Sequence, residues 1–170
     1  PFLRYGVFGR TWAGRAVFSF SLGNRLNSIL ILGGISGNDP ESSRILYRFT
    51  DELCEKIYTQ EEFSGVNISA LISKLGITVV PCLNPDGIEI FRNGLAGAGS
   101  ARSMTECIPC DDYSEWQANA AGTELRYNLH PRNKSGSLFA SPKGFCGYCK
   151  MSEPETRAFV SLCRRRAFRS

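Results

Sequence analysis

The stretch ILGGISGNDPES, Ile31 to Ser42, decides the fold. Its apolar run ends at Gly33-Gly34, makes a short polar turn and enters a helix at Asp39-Pro40. A missing N–H costs nothing at the first helical position, so Pro40 suits that place and Asp39 the N-cap before it. Beyond it Ile45, Leu46, Phe49, Leu53 and Ile57 share one face at helical spacing, which predicts a helix to about Tyr58. A buried strand turning into a helix is the repeating unit of α/β proteins. The loop at the strand's C-terminal end is where they place chemistry.

Reading outward, Ala16 to Leu22 alternates and Ile29 to Leu32 is continuously apolar, so both read as strands, joined by the polar turn Gly23-Asn24-Arg25. Downstream, a second helix is expected around Ile68 to Leu75, closed by Gly76, and Ile77-Thr78-Val79-Val80 is a β-branched run suited to a central strand. Asn84-Pro85-Asp86-Gly87 carries turn chemistry that stops it. From Gly94 to Ser152 regular signals fade over a stretch too long for an inert loop, so it is expected to form the site. Ser152-Glu153-Pro154-Glu155 reads as a capping box opening a helix with Ala158, Phe159, Leu162 and Cys163 inward. The fold class expected is α/β: a mixed, mainly parallel sheet flanked by helices. One domain is expected, with a strand and helix core over residues 1–93, site-forming loops over 94–151 and a helix over 152–170.

Composition agrees with one ordinary core: 42% of residues are hydrophobic and 21% charged. No apolar run approaches the roughly 20 residues of a membrane span, and nothing near Pro1 resembles a signal peptide. The chain starts without Met, which leaves a leader or upstream sequence open. The net charge of +4 gathers partly in Arg164, Arg165, Arg166 and Arg169, and reads as a solvated helix end rather than a nucleic-acid surface.

Seven cysteines is an odd number for a stapled secreted domain, and tilts the expected compartment toward a reducing, cytoplasmic one. Cys54, Cys82 and Cys163 lie in apolar periodic stretches and read as small buried hydrophobes. The remaining four form Cys107-Ile-Pro-Cys110 and Cys146-Gly-Tyr-Cys149. Two such pairs can close a tetrahedral Cys₄ zinc site, which has no open position for water. Their separation exceeds the compact ribbon spacing of about 15 to 20 residues, so free or disulfide-forming cysteines are the other reading.

Three separated motifs then share one order: Gly33 to Ser42, Leu83-Asn84-Pro85-Asp86-Gly87, and Ser152-Glu153-Pro154-Glu155-Thr156-Arg157-Ala158. Trp116-Gln117-Ala118-Asn119 and Gly122-Thr123-Glu124-Leu125-Arg126-Tyr127-Asn128 fit between them. In this pattern the chain resembles the zinc carboxypeptidase family. The resemblance is greatest to the bacterial branch that trims peptidoglycan peptides, the γ-D-glutamyl-diaminopimelate peptidases and murein-peptide amidases. It implies a zinc cofactor, a peptide or peptidoglycan-peptide substrate, and hydrolysis of an amide bond near a peptide's C-terminus.

Carried over residue by residue, the resemblance also exposes departures. The family's first zinc ligands, a His and a Glu spaced H-x-x-E, fall on Ser36 and Asp39. Serine is a poor zinc ligand at neutral pH; Asp39 keeps a carboxylate but is also the N-cap. The arginine that polarises the scissile carbonyl falls on Gln117, which brings a hydrogen bond and no charge. The Asn-Arg pair that grips the substrate carboxylate falls on Arg126 and Tyr127, with Asn128 following; Arg126 is either a shifted carboxylate clamp or a surface arginine. The family's third ligand, its catalytic Glu and its covering Tyr lie past Ser170, so the resemblance implies the first half of a catalytic domain. The single histidine, His130, has no partner histidine and reads as an exposed loop residue. Two functions are therefore expected as alternatives: a weakened or repurposed peptidase completed by a C-terminal half or partner chain, or a noncatalytic domain that binds peptide or cell-wall fragments or stabilises a partner.

Overall fold

The computed structural model describes residues 3–24, 27–129, 136–166 and 168. A four-stranded sheet has the order β1 (Leu3–Arg10), β2 (Ala16–Leu22), β6 (Gly76–Val80), β3 (Ser28–Leu32). It is mixed: β3 and β6 are parallel, while β1–β2 and β2–β6 are antiparallel. β2 and β3 follow each other in sequence but do not pair, because β6 is inserted between them. That central place explains why all five residues of β6 are buried.

Each face of the sheet packs its own core. Ile77 and Val79, with Phe20, Ile29 and Ile31, meet α1 (Pro40–Thr59) and α2 (Ile68–Lys74) through Leu46, Phe49, Leu53, Ile68 and Ile72. Val17 and Val80, with Phe8, Leu30 and Leu32, meet Leu125 and α6 (Pro154–Arg165) through Phe159 and Leu162. Within α1, Ile45 departs from expectation: it is 62% exposed, and Ser43 and Thr50 are buried instead. Leu46, Phe49, Leu53 and Ile57 still face the core, so the inward stripe runs through Ser43 and Thr50 and leaves Ile45 at its edge. Tyr47, partly exposed on the same helix, still reaches the sheet with an edge-on contact to Phe20, their ring centroids 5.8 Å apart.

Three expectations are corrected by backbone hydrogen bonding. Gly76 does not close α2, which is capped by Leu75; it is the first residue of β6, and a Cβ there would collide with the Asn24 carbonyl. Asn84-Pro85 is a helix start rather than a simple turn: Gly87 N–H donates to Asn84 Oδ1 at 2.9 Å and α3 runs Pro85–Asn93. Asn, Pro and Asp suit turns and first helical turns alike, so the local signal was ambiguous. The capping box at Ser152 does not form either. Glu153 is the N-cap residue of α6 and its side chain faces elsewhere.

The stretch after α3 is a chain of short helical turns: Gly94–Ala101, α4 (Arg102–Glu106), Tyr113–Glu115 and α5 (Leu125–Leu129). They surround Trp116, fully buried among Ile90, Ala98, Ile108 and Ala120 and stacked on Tyr113. β1 and a small hairpin of β4 (Glu62–Phe63) and β5 (Val66–Asn67) lacked clear sequence signals. Among the described residues no helix is long and apolar enough to cross a membrane.

Candidate functional site

The parallel strands β3 and β6 end side by side, and their following loops stay zipped together. Gly33 N–H donates to the Val80 carbonyl (2.9 Å), Leu83 N–H to Gly33 (3.1 Å) and Asn84 N–H to Gly34 (2.8 Å). Gly34 has φ +55°, and a Cβ there would strike Cys82, so glycine is required for this approach. Asn84 Nδ2 then donates to the carbonyls of Ile35 (3.2 Å) and Ala118 (3.1 Å), while Gly37 N–H donates to the Gln117 carbonyl (3.0 Å). Three sequence motifs, far apart in the chain, meet at this sheet end.

Asp39 is the N-cap of α1, its Oδ1 accepting from Ser42 N–H at 3.1 Å. Ser36 Oγ donates to Asn38 Oδ1 at 2.9 Å. Gln117 sits beside this loop through its backbone, and its Oε1 accepts from Arg126 Nη2 at 3.3 Å. Arg126 is held on three sides: by Gln117, by an ion pair to the buried Glu124, and by the ring of Tyr127, 4.8 Å from its guanidinium carbon. Glu124 is itself fixed by Gly144 N–H, which donates to its Oε2 at 2.7 Å. Hydrogen bonds thus tie the loop that carries Ser36 and Asp39 to Gln117, and Gln117 to Arg126, which lies against Tyr127.

Asn128 is not with them. It is buried, and its Nδ2 donates to the carbonyls of Cys146 (2.8 Å) and Cys149 (3.0 Å) and to Ser152 Oγ (3.0 Å). Its Oδ1 accepts from Thr156 Oγ1 at 2.6 Å. The knuckle at Cys146-Gly147-Tyr148-Cys149 is thus shaped around an asparagine. Among the described residues no three His, Cys, Asp or Glu side chains gather to hold a metal, and Cys107, Cys110, Cys146 and Cys149 are free, so the Cys₄ reading gains no support. Cys107 and Cys146 thiols point to nearby carbonyls, Ser103 (3.3 Å) and Gly147 (3.4 Å), and Cys110 packs against the Trp116 core. Cys54, Cys82 and Cys163 are half-buried rather than buried as expected; for Cys82 the desolvation still pushes the thiol up to about 11. His130 lies outside the described residues.

Sequence reasoning missed a second, buried constellation behind the loops. Asp86 accepts from Thr11 Oγ1 (2.8 Å), Ala13 N–H (2.9 Å) and Arg15 Nη1 (2.7 Å), pinning the β1–β2 turn to α3. Glu153 Oε2 accepts from Trp12 Nε1 and Asn119 Nδ2, both at 2.8 Å, and its Oε1 from Ser152 Oγ at 2.7 Å. Glu155 is wholly buried, with one oxygen bonded to Asn119 (3.2 Å) and the other without a partner. Burial raises its carboxyl to about 8, helped by the negative charges of Asp86 and Glu153. The available signal was acidic residues placed inside otherwise apolar or motif windows, where a charge needs a buried reason.

A mixed sheet with helices on both faces and a site built from the loops after two parallel strands define an α/β scaffold. The sequence matches the zinc carboxypeptidase family over residues 2–170, and the chain belongs to that family. It is 23% identical over 171 residues to the uncharacterized protein YqgT of Bacillus subtilis, covering 95% of this chain and 45% of that protein. It is 21% identical over 174 residues to γ-D-glutamyl-L-diamino acid endopeptidase 1 of Lysinibacillus sphaericus, covering 99% and 44%. Bovine thrombin-activatable fibrinolysis inhibitor, solved with a tick carboxypeptidase inhibitor, has the same fold (TM-score 0.68, 18% identity, 96% of this chain and 49% of that one). So does the murein-tripeptide amidase MpaA of Escherichia coli O157 (TM-score 0.50, 23% identity, 95% and 55%). The chain spans less than half the length of these curated relatives.

Zinc is the metal of this family. The residues at the first-ligand positions do not fit it here. Ser36 offers a hydroxyl already donated to Asn38, and the Asp39 carboxylate is engaged at a helix N-terminus whose dipole favours it where it is.

Proposed function

We propose that this chain is a carboxypeptidase-like domain that holds a peptide's terminal carboxylate without hydrolysing the adjacent bond. The observation that carries the reading is the pair Ser36 and Asp39: Ser36 is a neutral hydroxyl, a poor zinc ligand at neutral pH, and one oxygen of the Asp39 carboxylate is held as the cap of α1. Without a metal there, the loop lacks a means of polarising a carbonyl and activating water. Gln117 is neutral and its oxygen faces Arg126, so it adds no charge to that task.

Arg126 supports the binding half of the reading. Glu124, Gln117 and Tyr127 fix its guanidinium in one orientation before a ligand arrives, which lowers the ordering cost of a bidentate grip. Its Nη1 makes no hydrogen bond among the described residues. The ligand class this favours is a peptide, including a peptidoglycan peptide, ending in a free carboxylate. Calorimetry with a short peptide and its C-terminal amide tests the reading. Binding of the acid alone, lost in Arg126→Gln, together with no cleavage in added Zn²⁺, is the expected result. Zinc-dependent release of the terminal residue would overturn it.

A further inference from the structure

On the α6 side of the sheet the inward positions divide into two zones. Toward the candidate site they are apolar: Val17, Val80, Leu30 and Leu32. Toward the other end they become hydroxyls, Ser19, Ser21, Thr78 and Ser28, each at most 6% exposed. The register lines them up, since Ser21 lies opposite Thr78 and Arg4, and Ser19 opposite Gly6. A row of hydroxyls across three buried strands is costly unless it meets polar partners. Part of that cost is met by Arg166, whose Nη1 donates to Ser21 Oγ at 2.5 Å and to Thr78 Oγ1 at 3.1 Å.

Ser19 and Ser21 floor a cleft of about 450 Å³ between β1, β2 and the end of α6, which Arg4, Arg165 and Arg166 also line. Among the described residues no carboxylate lines it, and none pairs with Arg4 or Arg165. Gly6 leaves the space open: a Cβ there would meet nothing within 4 Å. Arg4 and Arg165 bring two like charges to one concavity, and an anion between them lowers their mutual repulsion. Guanidinium forks and hydroxyls all present donors, which matches the acceptor-only oxygens of a phosphate dianion.

We propose that this cleft is an oxyanion site for a phosphate group, gripped by Arg4, Arg165 and Arg166 over the hydroxyls of Ser19 and Ser21. It shares no lining residue with the Ser36–Arg126 site and stands or falls independently of the carboxylate reading. The ligand is inorganic phosphate or a small phosphomonoester.

Titration calorimetry of the whole chain tests it, with sodium phosphate, glycerol phosphate and sodium chloride compared at equal ionic strength. Saturable phosphate binding is expected, with Arg4→Gln and Arg165→Gln each weakening it about tenfold while the melting temperature in phosphate-free buffer stays put. Gly6→Leu, which fills the cleft, should abolish it. Tighter binding of glycerol phosphate assigns the site to a phosphorylated small molecule, and equal binding assigns it to free phosphate. Heats no larger than those of chloride, or an unchanged affinity in both arginine variants, would overturn the proposal.

Discussion

The buried network behind the loops and the exposed loop in front of them are built from the same sequence motifs, yet they have opposite fates. Behind, Asn84, Asp86, Asn119 and Asn128 are fully engaged in hydrogen bonds that join the β1–β2 turn, α3, the Trp116 segment and the start of α6. In front, Ser36, Asp39 and Gln117, which the resemblance aligns with the family's chemical positions, are engaged only by side chains and backbone of the same loops. A buried polar group left unpaired costs stability at once, whereas a solvent-facing ligand can be exchanged without loss to the fold. Scaffold and catalyst are therefore separable within a single motif.

The sharpest way to break this contrast is at Asp86. Replacing it by alanine strands Arg15, Thr11 and the Ala13 N–H together, so Asp86→Ala should cost about 3 kcal/mol or more, read as a melting temperature lower by roughly 10 °C. Asn128→Ala comes next, at about 2 kcal/mol in chemical denaturation, because it frees the Cys146 and Cys149 carbonyls and the Thr156 hydroxyl together. An Asn128→Ala variant as stable as the parent would show that the knuckle holds itself.

Glu155 sharpens the contrast through pH. Its folded carboxyl titrates near 8, above the ordinary 4.5, so the folded chain holds a proton that the unfolded chain releases. That contribution to stability is complete below about 4.5 and is lost as pH rises toward and through 8. Above 8 the ionised group adds a third negative charge beside Asp86 and Glu153. Glu155→Gln should flatten this slope and melt higher than the parent at pH 9. A parent whose melting temperature is flat between pH 5 and pH 9 would contradict the placement of Glu155.

Smaller effects are expected in front. Asp39→Ala removes a helix cap, worth about 1 kcal/mol in a thermal melt, with no other consequence for the fold. Arg126→Gln should lower stability by about 1 kcal/mol or more, because it leaves the buried Glu124 carboxylate without its partner cation, while abolishing peptide-carboxylate binding.

The sequence made the strand-to-helix unit at Ile31–Ser42 legible because its two periodicities and its cap are local. Asp39 and Pro40 stand where local rules place them, and the α1 boundary differs by a single residue. The central place of β6 was legible from its β-branched run, but its insertion between β2 and β3 was not, since pairing order depends on contacts far apart in sequence. At the site, the departures at Ser36, Asp39 and Gln117 could be read from motif positions alone. The removal of Asn128 to a structural role could not. Its partners Cys146, Cys149 and Thr156 are reached only after the chain folds back on itself, and the same fold-back left the paired cysteines ungathered.

The central claim, that the chemical positions have changed while the scaffold has not, is tested most directly by zinc content. Elemental analysis of the purified 170-residue chain, beside Asp39→Ala and a Cys107→Ser/Cys146→Ser variant, reads it without reference to any substrate. The account predicts no stoichiometric zinc in any of the three. Stoichiometric zinc in the parent that disappears in Asp39→Ala, or in the cysteine variant, would contradict it and show which set of residues holds the metal.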